Sequence, residues 1–315
     1  MGSVPTIGIT MGDPAGIGPE IVLKALSGDE PGDASNCVVI GDAAHLRKVA
    51  VGLGLDIEGI EIIDLKNVPA DLEISTVDAA AGKAAGEYIE KSVELWREGK
   101  IKAVATAPIN KASLNAGGYD FPGHTEFLAK LTDTTEFRMS FFADDLRVVL
   151  LSTHLSLVDA IKRVTTDNLI ELVAFSDRTL SELLGRKVSI AVAGLNPHAS
   201  EDGMFGSEER SQIGPAIDAC RSQGINVSGP FSPDTIFLRG HRGEFDAVIA
   251  LYHDQATIPV KSLSFGSAVN VTLGLPLIRT SVDHGTAFDI AGKGIADASS
   301  MQAAIRLAAE LIQSR

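Results

Sequence analysis

Three of the seven histidines in this chain stand at or just beyond the end of an apolar run. Val148-Val149-Leu150-Leu151-Ser152-Thr153 leads into His154, Ile190 through Pro197 leads into His198, and Val248-Ile249-Ala250-Leu251-Tyr252 leads into His253. If the runs are strands of an open α/β sheet, each imidazole arrives at the carboxyl edge, where such sheets form their ligand crevice. Imidazoles from three strands can converge on one divalent ion and leave coordination positions for a substrate. Zinc, cobalt, nickel or iron would suit that donor set, and the set singles out none of them. The competing reading of each histidine is a hydrogen-bonded loop residue. No HxH or HExxH pair decides the matter locally.

Downstream of His253 a cationic and amide-rich stretch carries Lys261, Asn270 and Arg279 in apolar surroundings, while Gly123-His124-Thr125-Glu126 marks a glycine-led helix start. Arginine, lysine, histidine and helix N-terminal amides are the groups that hold phosphate or carboxylate. Solvated surface charge is the alternative for Lys261 and Arg279. A third segment, Asp283-His284-Gly285-Thr286-Ala287-Phe288-Asp289-Ile290-Ala291-Gly292-Lys293-Gly294, has the small residues that let backbone approach a ligand, and Asp289 could bond a ribose hydroxyl. It reads equally as a loop. Gly16-Ile17-Gly18 lacks the third glycine of a dinucleotide fingerprint and is not a Walker loop.

These residues need an α/β frame. The sequence predicts strands at Thr6–Met11, Cys37–Ile40, Ala103–Ala105, Arg147–Ser152, Val188–Ala193 and Ala247–Leu251. Helices are expected from Pro19-Glu20, through Leu46 and Val49, over Gly82–Arg97, Leu157–Val164, Leu169–Leu184 and Ile213–Gln223, and at Gln302–Ile312. Such alternation points to a largely parallel sheet. The 315 residues suffice for one large domain or two lobes. A net charge of −14 without a basic run argues against nucleic acid as a partner, yet permits an anionic small substrate if a few cations are gathered in one place. Two cysteines, Cys37 and Cys220, are too few for a disulfide framework or thiolate metal site. No apolar run approaches a membrane span, and the expected location is the cytoplasm. Met1-Gly2-Ser3-Val4-Pro5-Thr6 fits the loose N-myristoylation pattern, set aside because the following residues read as a strand.

Six motifs occur in one order: Gly12-Asp13-Pro14-Ala15-Gly16-Ile17-Gly18-Pro19-Glu20, Thr106-Ala107-Pro108-Ile109-Asn110-Lys111, Gly123-His124-Thr125-Glu126, Gly194-Leu195-Asn196-Pro197-His198, Tyr252-His253-Asp254-Gln255 and Asp283-His284-Gly285-Thr286-Ala287. Together, from residue 7 to about residue 300, the chain resembles the 4-hydroxythreonine-4-phosphate dehydrogenase family of vitamin B6 biosynthesis, with its paralogues acting on four-carbon sugar acid phosphates.

The resemblance implies a two-lobed α/β fold like isocitrate and isopropylmalate dehydrogenases, with the active site in the cleft between lobes. Residues 1–137 plus 271–315 would form a discontinuous first lobe, and 138–270 a second lobe carrying the metal-site histidines and dimer contacts. It further implies a homodimer with a shared active site, in which His154, His198 and His253 bind a divalent metal (zinc, or cobalt, nickel, magnesium or manganese) across the subunit interface. His124, Thr125, Lys261, Asn270 and Arg279 match substrate-contacting positions. The segment from His284 to Gly294 resembles the family's adenosine-binding loop for NAD or NADP, with Gly285, Thr286, Ala287, Asp289 and Gly292 as cofactor contacts. One departure bears on substrate. The B6-pathway members usually read Thr-Gly-Pro-Val-His-Lys where this chain has Thr106-Ala107-Pro108-Ile109-Asn110-Lys111, which looks more like the group oxidising 4-phosphorylated threonate or erythronate. Ser200 also stands where glycine is common. A related branch acts on aromatic cis-dihydrodiols, but His124-Thr125 and Arg279 favour a phosphorylated substrate.

The expected reaction is therefore a metal-assisted, NAD(P)-linked oxidation of a 4-phosphorylated 3-hydroxy acid, followed by decarboxylation. For the base, Lys261, Asp254 and Asp234 are the candidates; their alternatives are phosphate counter-ion, histidine orienter and helix cap. The favoured assignment places Lys261 nearest the substrate, with Asp254 and Asp234 in support. A non-catalytic metal- and anion-binding protein is the competing class, and a phosphatase would require paired metals and bridging carboxylates that the sequence does not offer.

Overall fold

A computed structural model describes residues 7–27, 36–264 and 266–314. The N-terminal hexapeptide with its acylation pattern, including Thr6 at the start of the expected first strand, and Phe265 of the cationic stretch lie outside the described residues. The chain divides into two compact units: Met1–Phe137 with Leu275–Gln313, and Arg138–Gly274 with Ser314–Arg315.

The first unit runs β1 (Ile7–Thr10), α1 (Gly18–Ser27), β2 (Cys37–Gly41), α2 (Ala43–Leu53), β3 (Ile62–Asp64), α3 (Ala79–Arg97), β4 (Ala103–Thr106), α4 (Lys111–Ala116) and α5 (His124–Leu131). The second holds β5 (Arg138–Ala143), β6 (Leu146–Leu150), α6 (Leu157–Lys162), α7 (Thr166–Leu184), β7 (Ile190–Ala193), α8 (Gly214–Ser222), β8 (Val227–Phe231), α9 (Ile236–His241), β9 (Ala247–Ala250), α10 (His253–Leu263) and β10 (Val269–Leu273). The chain then returns to the first unit for β11 (Ile278–Ser281) and α11 (Ser299–Ser314).

In the first unit the strand order is β3-β2-β1-β4-β11, parallel throughout. β1, β2 and β4 are buried along their whole length, as parallel strands covered on both faces must be. Their helices start on side-chain caps: Asp42 accepts from the His45 amide, Asp78 from Ala81 and Asn110 from Ser113. Gly82 is what lets α3 lie against α4, because a Cβ there would overlap the Ser113 carbonyl.

In the second unit the order is β10-β5-β6-β9-β7-β8. β10, β5 and β6 pair antiparallel, whereas β6, β9, β7 and β8 are parallel. One apolar cluster, including Phe141, Val148, Leu150, Ile236, Val248 and Val260, fills its interior. The fold is thus α/β with a largely parallel sheet arrangement, as the alternation of patterns predicts. The sequence reading leaves five strands unassigned. β3 is only three residues and half-exposed, β8 contains Gly229-Pro230, and β5, β10 and β11 lie in stretches whose polar residues interrupt the apolar run.

Candidate functional site

β6, β9 and β7 are neighbours in that order, and the histidines follow their carboxyl ends. His154 lies four residues past Leu150 and His253 three past Ala250, as the first residue of α10. Their rings are 6.0 Å apart between centroids. Nδ1 of His253 and Oδ1 of Asp254 are 2.7 Å apart. A carboxylate at that nitrogen favours the Nδ1–H tautomer and leaves Nε2 as a lone-pair donor, the usual arrangement behind a metal-binding imidazole. Thr153, Tyr252 and Asp254 join the two histidines around an open cavity of about 270 Å³.

His198 is placed differently. Its ring lies 6.4 Å from that of Phe205, and its Nδ1 is 4.0 Å from Oδ2 of Asp234. It begins a run of five residues, His198 to Asp202, all at positive φ. Such a run is strained for residues other than glycine, and strain of this kind gathers at functional sites. The segment before it is clamped by Glu209, a buried carboxylate the sequence reading overlooked. Its Oε1 accepts the amides of Leu195 (2.8 Å) and Asn196 (2.7 Å), and its Oε2 accepts Nδ2 of Asn196 (2.9 Å). Among the described residues of one chain, no group of three or more histidine, cysteine, aspartate or glutamate side chains could hold a metal ion. The fit is therefore partial: His154 and His253 supply two imidazoles, one backed by a carboxylate, and stand one protein ligand short of three.

Asp234 does not cap α9. Thr235 occupies that position, while Asp234 accepts from Oγ of Ser232 at 2.5 Å. Lys261 is exposed on the last turn of α10, because the helix turns it outward from the apolar residues that flank it in sequence. Asn270 is partly buried on β10.

In the first unit, Arg279 on β11 is only 4% exposed and His124, first residue of α5, 8%. Arg279 Nη2 donates to Oγ1 of Thr106 at 2.9 Å, across the β4–β11 pair. Burial pulls the Arg279 guanidinium down to about 10, opposed by Glu126, so it stays cationic at neutral pH. Burial, with Arg279 beside it, holds His124 neutral, well below the ordinary histidine range. Nε2 of His124 has no hydrogen-bond partner. The helix it opens has no side-chain cap at Gly123, so its first amides add partial positive charge beside the guanidinium. Thr125 follows on the same turn. Groups of these types are ones that can hold a small anion.

Thr286 is buried in the glycine-rich segment, and its carbonyl accepts the Ile17 amide at 3.0 Å; a Cβ on Gly16 would press against it. Gly285 and Asp289 are exposed and Ala287 is at positive φ. Gly292 alone of the five expected cofactor contacts lines a cavity of about 340 Å³, with Pro14, His45, Lys48, Ile74 and Lys293 among its other walls. That volume is in the range of small-molecule sites.

Comparison with known proteins shows the family. The family model described as pyridoxal phosphate biosynthetic protein PdxA matches residues 33–308. The chain belongs to the PdxA family. A D-threonate 4-phosphate dehydrogenase of Cupriavidus necator is 46% identical, covering 99% of this chain and 98% of the relative. A 4-hydroxythreonine-4-phosphate dehydrogenase of Desulforapulum autotrophicum is 44% identical over 97% of this chain and 95% of its own. Among solved structures, a 4-hydroxythreonine-4-phosphate dehydrogenase from Klebsiella pneumoniae matches with a TM-score of 0.90 and 41% identity, covering 98% and 99% of the two PdxA-family chains. No helix among the described residues is long and apolar enough to cross a membrane.

Proposed function

We propose that this PdxA-family protein is a metal-dependent, NAD- or NADP-linked dehydrogenase that oxidises and decarboxylates 4-phospho-D-threonate or 4-phospho-D-erythronate, giving dihydroxyacetone phosphate. The observation that carries the reading is the His154–His253 pair with Asp254 behind it, in a chain that aligns end to end with a D-threonate 4-phosphate dehydrogenase. When bound, a divalent cation, zinc foremost, and a nicotinamide supply the Lewis acidity and the hydride acceptor for the alcohol oxidation. His154, His253 and His198 would hold the cation, with Asp254 orienting His253 and Asp234 orienting His198. Arg279, His124 and Thr125 would bind the phosphate, and Lys261 and Asn270 the remainder of the substrate. Lys261, two helical turns beyond Asp254 and about 10 Å along α10, would receive the hydroxyl proton as its free amine, the only form with a lone pair to accept it. The β-keto acid would then lose its carboxyl group as CO2, the bonding pair moving into the ketone to give an enolate that takes up a proton at C2 and becomes dihydroxyacetone phosphate. The cofactor would lie against Gly285, Thr286, Ala287, Asp289 and Gly292.

The split between the histidines supports a homodimer in which His198 of one copy completes the partner's pair. Exposed apolar side chains surround all three: Leu155, Leu157, Val158 and Ile161 after His154, Met204 and Phe205 after His198, and Ile258 after His253. Two buried cysteines and an acidic composition support a cytoplasmic location. The B6-pathway substrate is the second reading, favoured by the Desulforapulum relative. Against it, Asn110 stands where that group has histidine, and its side chain is engaged in capping α4. Absorbance at 340 nm decides: reduced cofactor should form with 4-phospho-D-threonate or erythronate faster than with 4-phosphohydroxythreonine. The reverse order establishes the B6 reading, and no reduction with any of them, metal present, leaves a binding protein.

A further inference from the structure

The three histidine-bearing strand ends are laced together by two buried side chains. Ser152, two residues before His154 and 7% exposed, donates its Oγ to the Leu251 carbonyl at the end of β9 (3.0 Å). The amide of the same Leu251 donates to Oε1 of Gln255 (2.7 Å). Gln255, also 7% exposed, then donates its Nε2 to the carbonyl of Gly194, where β7 ends (2.8 Å). The lace therefore runs from Ser152 through Leu251 and Gln255 to Gly194, and each end lies within four residues of a histidine.

Gln255 has a particular place on its helix. Tyr252 is the N-cap of α10 and makes no capping bond through its side chain, so His253 is the first helical residue and Gln255 the third. A glutamine at the third position commonly reaches back to the amide before the helix. Here it does so with one atom and reaches another strand with the other. The direction in which α10 leaves the sheet, and hence the placement of His253, is thereby fixed to the strand that leads to His198. Beyond Gly194, Glu209 takes up the next two amides, so the backbone is held until two residues before His198. An apolar side chain in its place would leave the Leu251 amide and the Gly194 carbonyl without these partners, so both bonds favour the one arrangement of helix and strand ends in which Gln255 reaches them.

We propose that Gln255, assisted by Ser152, is the positioning residue of the histidine site, holding His253 in register with the strand ends that deliver His154 and His198. The inference rests on the reading of those histidines as metal ligands. The test uses purified wild-type protein and the Gln255→Leu, Gln255→Asn, Ser152→Ala, His198→Ala and His253→Ala variants. Each is titrated with Zn²⁺ alone against a chromophoric chelator and with Co²⁺ alone in the visible range, and its thermal unfolding is recorded. Gln255→Leu should weaken Zn²⁺ binding about 10–100-fold and change the Co²⁺ band shape per bound ion, as losses behind a ligand do. Gln255→Asn keeps the polarity but is one methylene short, so it should fold and lie between Leu and wild type. Ser152→Ala should cost less, since the Leu151 amide still bonds the Ala250 carbonyl. A role in stability alone would lower the unfolding temperature and leave the Co²⁺ spectrum of the loaded protein unchanged. Wild-type affinity and spectrum in Gln255→Leu, or in Gln255→Asn should the former not fold, overturn the positioning role. Undiminished metal binding by both His198→Ala and His253→Ala overturns the metal reading instead.

Discussion

Two histidines of the first unit, His124 and His45, resist protonation because burial disfavours their charged forms, and Nε2 of each lacks a hydrogen-bond partner. In the unfolded chain both titrate near the ordinary 6.5. Below that pH the unfolded state takes up protons that the folded state refuses, so acid shifts the balance towards unfolding. Each histidine should remove up to about 1.4 kcal/mol per pH unit as pH falls from 6.5 towards its folded value, and nothing above. His124→Asn should therefore flatten the decline in urea-unfolding midpoint between pH 7 and pH 5; an unaltered slope would contradict a neutral buried His124. The candidate residue types are legible in the sequence, but their environments are only partly so. Arg279 and Lys261 both sit among apolar neighbours in the chain, yet a strand buries the first and a helix end exposes the second. The reach of Ser152 to Leu251 and of Gln255 to Gly194 has no sequence signal, because those partners are backbone groups of other strands, whereas the position of Gln255 on the first turn of α10 could have been read as a capping residue had that helix been expected.

At the level of elements, the best-read segments are those whose period is long and whose caps are present. Gly82–Arg97 and Leu169–Leu184 lie inside the nineteen-residue helices α3 and α7, started by Asp78 and Thr165. Helix α10 escapes because it opens without a side-chain cap and contains Pro259, and β8 because Gly229-Pro230 interrupts it. The strands that precede the histidines are read to within two residues at each end, as short apolar runs bounded by turn residues. Their geometry is not legible: only the structure separates His198 from the other two. The close α3–α4 contact gives a direct check on packing. Gly82→Ala forces backbone apart, because the obstructing atom is the Ser113 carbonyl and not a flexible side chain. A loss of about 1–3 kcal/mol in urea unfolding is expected; a neutral substitution would show that the helices are free to separate.

For the whole molecule, the net charge of −14 describes the surface and says little about the interior, where Arg279 supplies a buried positive charge. The exposed apolar residues around the histidines make the oligomeric state testable. Val158, 64% exposed on α6, should be covered in a homodimer. Val158→Asp would bury an unpaired carboxylate there and should weaken association at least ~100-fold. Sedimentation velocity should then show a wild-type dimer and a variant monomer that has also lost tight Zn²⁺ binding. A wild-type protein that sediments as a monomer would remove the case for a shared site. Chain order has one more effect, on synthesis. Thr106 of β4 and Thr280 of β11 lie 174 residues apart, although their strands are neighbours. A ribosome adding about 5–20 residues per second needs on the order of ten to thirty-five seconds to deliver β11 once β4 has emerged. Throughout that interval β4 presents an open, apolar edge, the template on which strands of other chains assemble. The uninterrupted second unit can finish first, while the first unit waits for the last forty or so residues to be made.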